Sequence, residues 1–178
     1  QFPVGLLKRV GKLLITNGFD VNVDDTRPKY NLTPMKLNPD FKPRDYQLDV
    51  VNLAEKKESG IIRMCTGSGK TSVIAMIAGR FNLRTVIYVI GLELLYQMKE
   101  TVERLLDVKC GIIGDGICEI EPDGINICTI WTAAQAFGEK IEIIDSDLTM
   151  STKFNHSGYN KIRIQNLIKE SQLFILDE

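Results

Sequence analysis

The sequence has few of the residues that build metal centres and membrane spans. It contains a single histidine, His156, and its four cysteines form no CxxC pair, which argues against a zinc module and favours buried, reduced thiols. Its apolar runs, such as Thr85–Ile90, are far too short to cross a bilayer, and no charged-then-apolar leader opens the chain. The sequence therefore predicts no membrane segment and a cytoplasmic location.

An excess of charge of one sign is also absent. The 22 basic residues nearly balance the 23 acidic ones, which excludes the global positive field of a strongly basic nucleic-acid-binding domain. Any binding of nucleic acid would therefore have to come from a local basic face of the protein. With 178 residues, 44% of them hydrophobic, the chain has material for one substantial core and a small satellite unit.

The two ends of the sequence suggest an excerpt from a longer polypeptide. It begins at Gln1 rather than Met, and it stops at Glu178 directly after an apolar, strand-like run. We therefore expect further chain beyond it.

The pattern of apolar residues divides the chain near Pro39. Pro3–Asn17 carries apolar residues at helical spacing before Gly18, and Val21 and Val23 alternate with polar residues like a short strand. A polar, proline-containing connector follows. We predict a small α+β accessory unit with its connector at residues 1–38 and the main domain at residues 39–178.

In the main domain, helical and strand patterns alternate. This order favours an α/β fold with a parallel sheet that is covered by helices on both faces. Residues 139–159 have no regular pattern and are predicted as an insertion or mobile loop. The predicted helices are Tyr46–Glu58, Lys70–Phe81, Leu92–Leu106 and Asn160–Ser171, and the predicted strands are Gly60–Met64, Thr85–Ile90, Lys109–Ile113, Ile125–Thr129 and Gln172–Leu176.

A glycine-rich segment between a predicted strand and a predicted helix is typical of a phosphate-binding loop. It reads Thr66-Gly67-Ser68-Gly69-Lys70-Thr71, and its glycines let backbone N–H groups turn toward an anion at a helix N-terminus. Lys70 would reach the β- and γ-phosphates, and the Thr71 hydroxyl would bind Mg²⁺. A plain glycine turn that caps a helix is the alternative.

Two carboxylates follow the last apolar strand. Asp177 would hold Mg²⁺, and Glu178 would orient or deprotonate an attacking water. Acidic residues commonly follow surface strands, but a pair placed about a hundred residues after a phosphate loop is more specific for nucleotide hydrolysis.

These segments together resemble the first motor lobe of superfamily-two helicases, of the DEAD/DEAH-like, restriction-translocase type that includes phage UvsW-type recombination helicases. The strict phosphate-loop pattern asks for glycine at the position of Met64, and in this family another residue there is ordinary. The resemblance implies a RecA-like lobe, incomplete at its C-terminus, that binds ATP and Mg²⁺.

The resemblance also implies an adenine-reading segment. Phe41-Lys42-Pro43-Arg44-Asp45-Tyr46-Gln47 is similar to the stretch that precedes the family's phosphate loop. A glutamine amide both donates and accepts, which matches adenine N6 and N7. Gln47 would be the reader, with Arg44 or Tyr46 near the base. A polar residue at a helix N-terminus is the alternative.

Three further segments are similar to the family's nucleic-acid-contacting motifs. Gly91 lies within the first of them, Val86–Gln97. The family usually has proline and a hydroxyl residue where this chain has Ile90 and Gly91, so only a backbone contact is expected at Gly91. Gly114 belongs to the glycine turn of the next, and Thr129 belongs to a strand-to-helix element whose threonine binds phosphate. A plain turn and a helix cap are the alternatives at Gly114 and Thr129.

The resemblance implies an ATP-dependent nucleic-acid motor that remodels duplex or branched DNA, with a second lobe that supplies an arginine, and a host-cytoplasmic location if a phage encodes it. Lys8, Arg9 and Lys12 give the N-terminal helix a basic face that would contact DNA or would simply be solvated. Three alternatives stay open: a non-motor phosphate-loop ATPase or kinase, an RNA helicase, and a nucleic-acid-binding module with a vestigial nucleotide site.

Overall fold

The computed structural model describes residues 6–24, 32–57, 59–138 and 158–177. The chain divides into two compact units, Gln1–Asn31 and Leu32–Glu178. Most of the loop predicted at residues 139–159, together with Glu178, lies outside the described residues. Among the helices that are described, none combines the length and the apolar character needed to cross a membrane.

Within the described residues 6–24, the N-terminal unit contains one helix, α1 (Leu7–Thr16). The helix ends as the sequence predicts, because Gly18 takes the left-handed conformation at φ +81° and the Phe19 N–H donates to the Leu14 carbonyl at 3.1 Å. The strand predicted at Val21–Val23 is not formed. Residues 19–24 have no regular structure, and the described part of this unit offers no second strand for pairing.

The main unit alternates helices and strands largely in the predicted order, but it lacks the strand predicted at Gly60–Met64 and has one strand and one short helix in addition. Its elements are α2 (Asp45–Lys57), α3 (Lys70–Phe81), β1 (Thr85–Val89), α4 (Leu92–Leu106), β2 (Gly111–Gly114), β3 (Ile117–Glu119), β4 (Ile125–Thr129), α5 (Ile130–Ala136), α6 (Gly158–Glu170) and β5 (Leu173–Leu176).

The five strands form one sheet in the order β3-β2-β4-β1-β5. The pairs β1–β4, β1–β5 and β2–β4 are parallel, as predicted, whereas β3 runs antiparallel to β2. The hairpin arises because Gly114, Asp115 and Gly116 all have positive φ, which turns the chain back onto β2 within two residues. The sheet is therefore mixed at one edge rather than wholly parallel.

Both faces of the sheet are covered by helices. On one face, the fully buried Ile87 and Val89 of β1 pack in a cluster with α3 and α4. On the opposite face, Val86 packs with residues of α5 and α6, such as Ala133 and Ile164. Each such aliphatic side chain contributes about 1.5–3 kcal/mol when fully buried, so these two layers stabilise the sheet that positions the site.

The strand predicted at Gly60–Met64 is not formed. This stretch has no regular structure, and the side chain of Ile61 is 93% exposed, although Met64 packs against the cluster between α2 and α3. In the described residues β5 pairs with β1 alone. No neighbouring strand therefore satisfies the backbone of residues 60–64, and without that ladder an apolar run stays irregular.

The segment before α2 is anchored to the main unit. The Asn38 N–H donates to the Leu105 carbonyl at 2.8 Å, and the Met35 N–H donates to the Gly79 carbonyl at 2.8 Å. The Asn38 side chain adds a bond to the Arg104 carbonyl at 3.0 Å. Residues 32–38 are thus fixed to the C-terminal ends of α3 and α4.

Candidate nucleotide site and nucleic-acid face

The phosphate loop is a closed turn between residues 65 and 69. Gly67 and Gly69 have φ of +77° and +82°, values at which residues with a side chain are strained. The Ser68 hydroxyl and the Ser68 N–H both donate to the Cys65 carbonyl, at 2.6 and 3.2 Å. Thr66 lies exposed within this turn. The predicted loop residues therefore form one compact bend directly before α3.

The N-terminus of α3 suits an anion. Gly69 is its N-cap and gives no side-chain capping bond, and the first turn carries no acidic residue. Its leading N–H groups and the positive end of the helix dipole are thus left for an external acceptor. Lys70 is the first residue of the helix and Thr71 the second, which adds an ammonium and a hydroxyl. Phosphate oxygens fit this donor set.

Asp177 lies at the end of β5 and faces Lys70. Its N–H extends the ladder by donating to the Tyr88 carbonyl at 2.9 Å, which holds it beside β1. Burial raises the pKa of the Asp177 carboxyl, and the nearby Lys70 ammonium opposes that shift. Lys70 and Asp177, which are more than a hundred residues apart in the chain, are brought within electrostatic reach.

The oxygen donors of Thr71 and Asp177 fit a magnesium ion that is bound mainly by phosphate oxygens and water, as is usual for this ion in nucleotide sites. Within the described ranges, no cluster of three or more His, Cys, Asp or Glu side chains forms a separate metal cage. Glu178, the predicted water-activating residue, lies outside the described residues.

Gln47 connects α2 to the phosphate loop. Its side chain is 4% exposed, and its amide nitrogen donates to the Ser68 carbonyl at 3.0 Å. Its amide oxygen accepts the Arg44 N–H at 3.0 Å. A primary amide has two N–H groups and two lone pairs, so these bonds leave one donor and one acceptor for an adenine edge.

Tyr46 reaches the same point of the loop, which the sequence did not predict. Its hydroxyl donates to the Ser68 carbonyl at 2.8 Å and accepts from the Arg44 guanidinium at 2.8 Å. The Arg44 guanidinium carbon lies 6.0 Å from the centre of the Tyr46 ring. Tyr46 and Gln47 therefore converge on Ser68, with Arg44 bonded to both of them, and the predicted adenine-reading segment adjoins the phosphate loop.

The predicted nucleic-acid residues lie where β1, β2 and β4 end. A Cβ atom added to Gly114 would lie 3.3 Å from the Thr129 hydroxyl oxygen, so these two residues are neighbours. The Thr129 side chain is buried, accepts the Thr132 N–H as the N-cap of α5, and donates to the Thr132 hydroxyl. It is therefore occupied as a helix cap. Gly91 is the N-cap of α4 and gives no side-chain cap.

Two contacts that the sequence did not predict join the loops of this edge. The Trp131 indole N–H donates to the Ile90 carbonyl at 3.0 Å, which links the segments after β4 and β1. The Tyr96 hydroxyl donates to the Asp115 carboxylate at 2.8 Å, which links α4 to the β2–β3 turn. Tyr96 lies in the segment Val86–Gln97 and Trp131 in the segment Cys128–Thr132, both of which resemble family motifs, but spacing alone does not reveal their partners.

Comparison with known proteins agrees with the fold described above. The family model described as "Type III restriction enzyme, res subunit" matches residues 40–178. The chain is 36% identical over 107 residues to the DNA 3'-5' translocase XPB2 of Sulfurisphaera tokodaii, a match that covers 58% of this chain and 24% of that protein. The chain thus spans about a quarter of the length of this curated relative.

A solved structure shares the fold. The crystal structure of the UvsW helicase from bacteriophage T4 superposes with a TM-score of 0.59 at 17% identity, covering 98% of this chain and 71% of that one. The RecA-like, helix-covered sheet and the superfamily-two resemblance are both confirmed. Because the family model matches residues 40–178, well over half of its length, the chain belongs to the family of type III restriction enzyme res subunits.

Proposed function

We propose that this chain is the ATP-binding lobe of a DNA helicase or translocase that couples ATP hydrolysis to movement on duplex or branched DNA. The juxtaposition of Lys70 and Asp177 at an uncapped helix N-terminus carries the proposal, because a structural glycine turn needs neither group. The translocase name of the Sulfurisphaera tokodaii relative supports DNA as the track.

The residues of the site divide the chemistry between them. Lys70 and the first N–H groups of α3 bind the terminal phosphates, which orients them and offsets their charge. Thr71 and Asp177 hold Mg²⁺, which when bound neutralises the charge that develops on the phosphate oxygens. Glu178 orients the attacking water and accepts its proton. Gln47 selects adenine through its remaining donor and acceptor.

A second motor lobe is part of the proposal. Its arginine would stabilise the charge of the transition state, so the 178-residue chain alone is expected to bind ATP but to hydrolyse it slowly. We further propose that the basic residues of α1, Lys8, Arg9 and Lys12, contact the DNA backbone as an accessory surface.

The test is steady-state ATP hydrolysis by the full-length protein without nucleic acid and then with forked DNA, duplex DNA and RNA. We expect strong stimulation by DNA that Lys70→Ala abolishes. Lys169→Ala, which removes an exposed lysine from the last turn of α6, is the matched control and should behave as wild type.

The other outcomes identify the alternatives. Stimulation by RNA but not by DNA would indicate an RNA helicase. A Lys70-dependent rate that ignores every nucleic acid would indicate a non-motor ATPase or kinase. DNA binding that survives Lys70→Ala without any hydrolysis in the wild type would indicate a binding module with a vestigial nucleotide site.

A further inference from the structure

The turn between β2 and β3 is held by a side chain from α4. The Tyr96 hydroxyl donates a 2.8 Å hydrogen bond to Oδ2 of Asp115. Both residues are exposed, with Tyr96 at 43%, so burial of the pair contributes little to the core. This hydrogen bond is also the main reason that the pKa of the Tyr96 hydroxyl is raised.

The turn has a defined backbone, in which all three residues have positive φ. Gly114, Asp115 and Gly116 have φ of +152°, +51° and +75° in succession, and an aspartate pays a conformational cost in the left-handed region. A Cβ atom on Gly114 would lie 2.9 Å from atoms of both Leu95 and Thr129. The turn is therefore pressed against α4 and the end of β4, and its position on the nucleic-acid face is fixed.

The charge of Asp115 is the difficulty for a surface that meets phosphates. Glu93 and Glu100 stand three residues before and four residues after Tyr96, and so share its face of α4. Lys99 also lies on this side, but its ammonium is bonded to Glu103 at 2.6 Å. An unrestrained Asp115 carboxylate would add to the negative charge there and would repel a phosphate that approaches the turn. The Tyr96 hydroxyl holds that carboxylate toward α4 and stabilises its charge by hydrogen bonding.

We propose that the β2–β3 turn meets a nucleic-acid phosphate at Gly114 and that Tyr96 is a positioning residue there, because its hydroxyl holds the Asp115 carboxylate toward α4. The inference rests on the proposed function, since it names a part of the same nucleic-acid face. The Tyr96–Asp115 pair, rather than the glycines of the turn, then sets the DNA affinity of this face, and the effect of changing either side chain depends on the presence of the other.

The experiment is a double-mutant cycle on the full-length protein. The dissociation constant for a fluorescent forked DNA is measured by anisotropy at several salt concentrations for wild type, Tyr96→Phe, Asp115→Asn and the double variant. We expect Tyr96→Phe to weaken binding by about threefold to tenfold, the effect of losing one hydrogen bond to a charged group at a partly exposed position. Asp115→Asn should bind at least as tightly as wild type, and the double variant should recover wild-type affinity.

The control is Tyr159→Phe, which removes the same hydroxyl from a 72% exposed tyrosine on α6 and should leave affinity unchanged. Wild-type affinity in Tyr96→Phe overturns the inference. A double variant as weak as Tyr96→Phe also overturns it, because Tyr96 would then support the turn irrespective of charge. In both cases DNA-stimulated hydrolysis by the wild type leaves the proposed function standing, whereas a wild type that binds no DNA overturns both.

Discussion

The side-chain amide of Gln47 is hydrogen-bonded to the main-chain carbonyl of Ser68 at 3.0 Å, so the residue predicted to read adenine also grips the loop predicted to bind phosphate. The rest of α2 and the irregular segment after it lie between the two positions in the chain. If a nucleotide binds here, the Gln47 side chain would both read its base and hold the loop that binds its phosphates.

Gln47→Glu tests this shared role, because it keeps the shape of the side chain but replaces the donating amide by a carboxylate. We expect ATP affinity to fall about tenfold, because the Ser68 carbonyl loses one of its two side-chain donors and adenine loses the amide that would pair with it, and lost hydrogen bonds of this kind cost about 1–3 kcal/mol. Tripolyphosphate affinity should fall less, because it has no base to lose. Calorimetric titration of the wild type and the variant with ATP, GTP and tripolyphosphate measures the affinity for each ligand.

Tyr46→Phe is the matched control, since it removes the other side-chain donor to the same Ser68 carbonyl. It should weaken ATP and tripolyphosphate by one common factor. An equal loss for both ligands in Gln47→Glu would mean that Gln47 holds the loop and does not read the base.

The two loop glycines should respond differently to alanine. Gly67→Ala meets open space and carries only the left-handed backbone cost of about 1–2 kcal/mol. Gly69→Ala carries the same cost and also places its Cβ 2.5 Å from the Gln47 amide nitrogen. Urea unfolding without nucleotide should therefore show a larger loss of stability for Gly69→Ala.

Adding Gln47→Ala to Gly69→Ala provides the check. It removes the clashing amide, so the cost of the glycine substitution should fall toward that of Gly67→Ala. If Gly69→Ala costs the same with and without Gln47, the close approach of the two residues does not contribute to stability.

Local sequence was sufficient for several elements. α3 and α4 have the predicted bounds because their apolar spacing is continuous and because Asn82 and Asp107 end them in the left-handed region. The bounds of β4 are likewise those predicted, from a short run of buried, mostly β-branched residues. The phosphate loop was predictable because its conformation depends on its own glycines and on the helix that follows.

Features that depend on distant partners were not predictable. Gly60–Met64 has the apolar character of a strand, but a strand needs a neighbour, and no described strand pairs with it. The side-chain contact of Trp131 is of the same kind, because its indole N–H donates to the carbonyl of Ile90, 41 residues away in the chain. Both outcomes were decided by what the fold places beside each residue.

Asn126 should be far more important to stability than Arg84, although both make several polar contacts. The buried Asn126 amide accepts the Glu121 N–H at 2.9 Å and donates to the Glu121 carbonyl at 2.8 Å. Asn126→Ala leaves that loop backbone without both partners, at a cost of about 2 kcal/mol in urea unfolding.

The ion pairs of Arg84, with Asp123 at 2.7 Å and Glu170 at 3.3 Å, lie at the surface. Solvent screens such pairs, so Arg84→Ala should cost less than about 1 kcal/mol. The reverse order of the two effects would show that the surface cluster, and not the buried amide, fixes this end of the sheet.

The rate at which the cysteines react with a thiol reagent should reveal nucleotide binding, because the four thiols differ in exposure and only Cys65 lies in the phosphate loop. Burial raises the pKa of the Cys110 and Cys128 thiols to about 12, so at pH 8 they stay protonated and should react with a thiol reagent only on unfolding. Burial also raises the pKa of Cys118, whereas Cys65 is exposed in the phosphate loop and should react first. ATP with Mg²⁺ should slow that first phase, because the Cys65 carbonyl closes the turn that the nucleotide would cover. Cys65→Ser should abolish this first phase, which would assign the phase to Cys65. If the phase is assigned in this way but ATP does not change its rate, the result would argue against nucleotide binding at this loop.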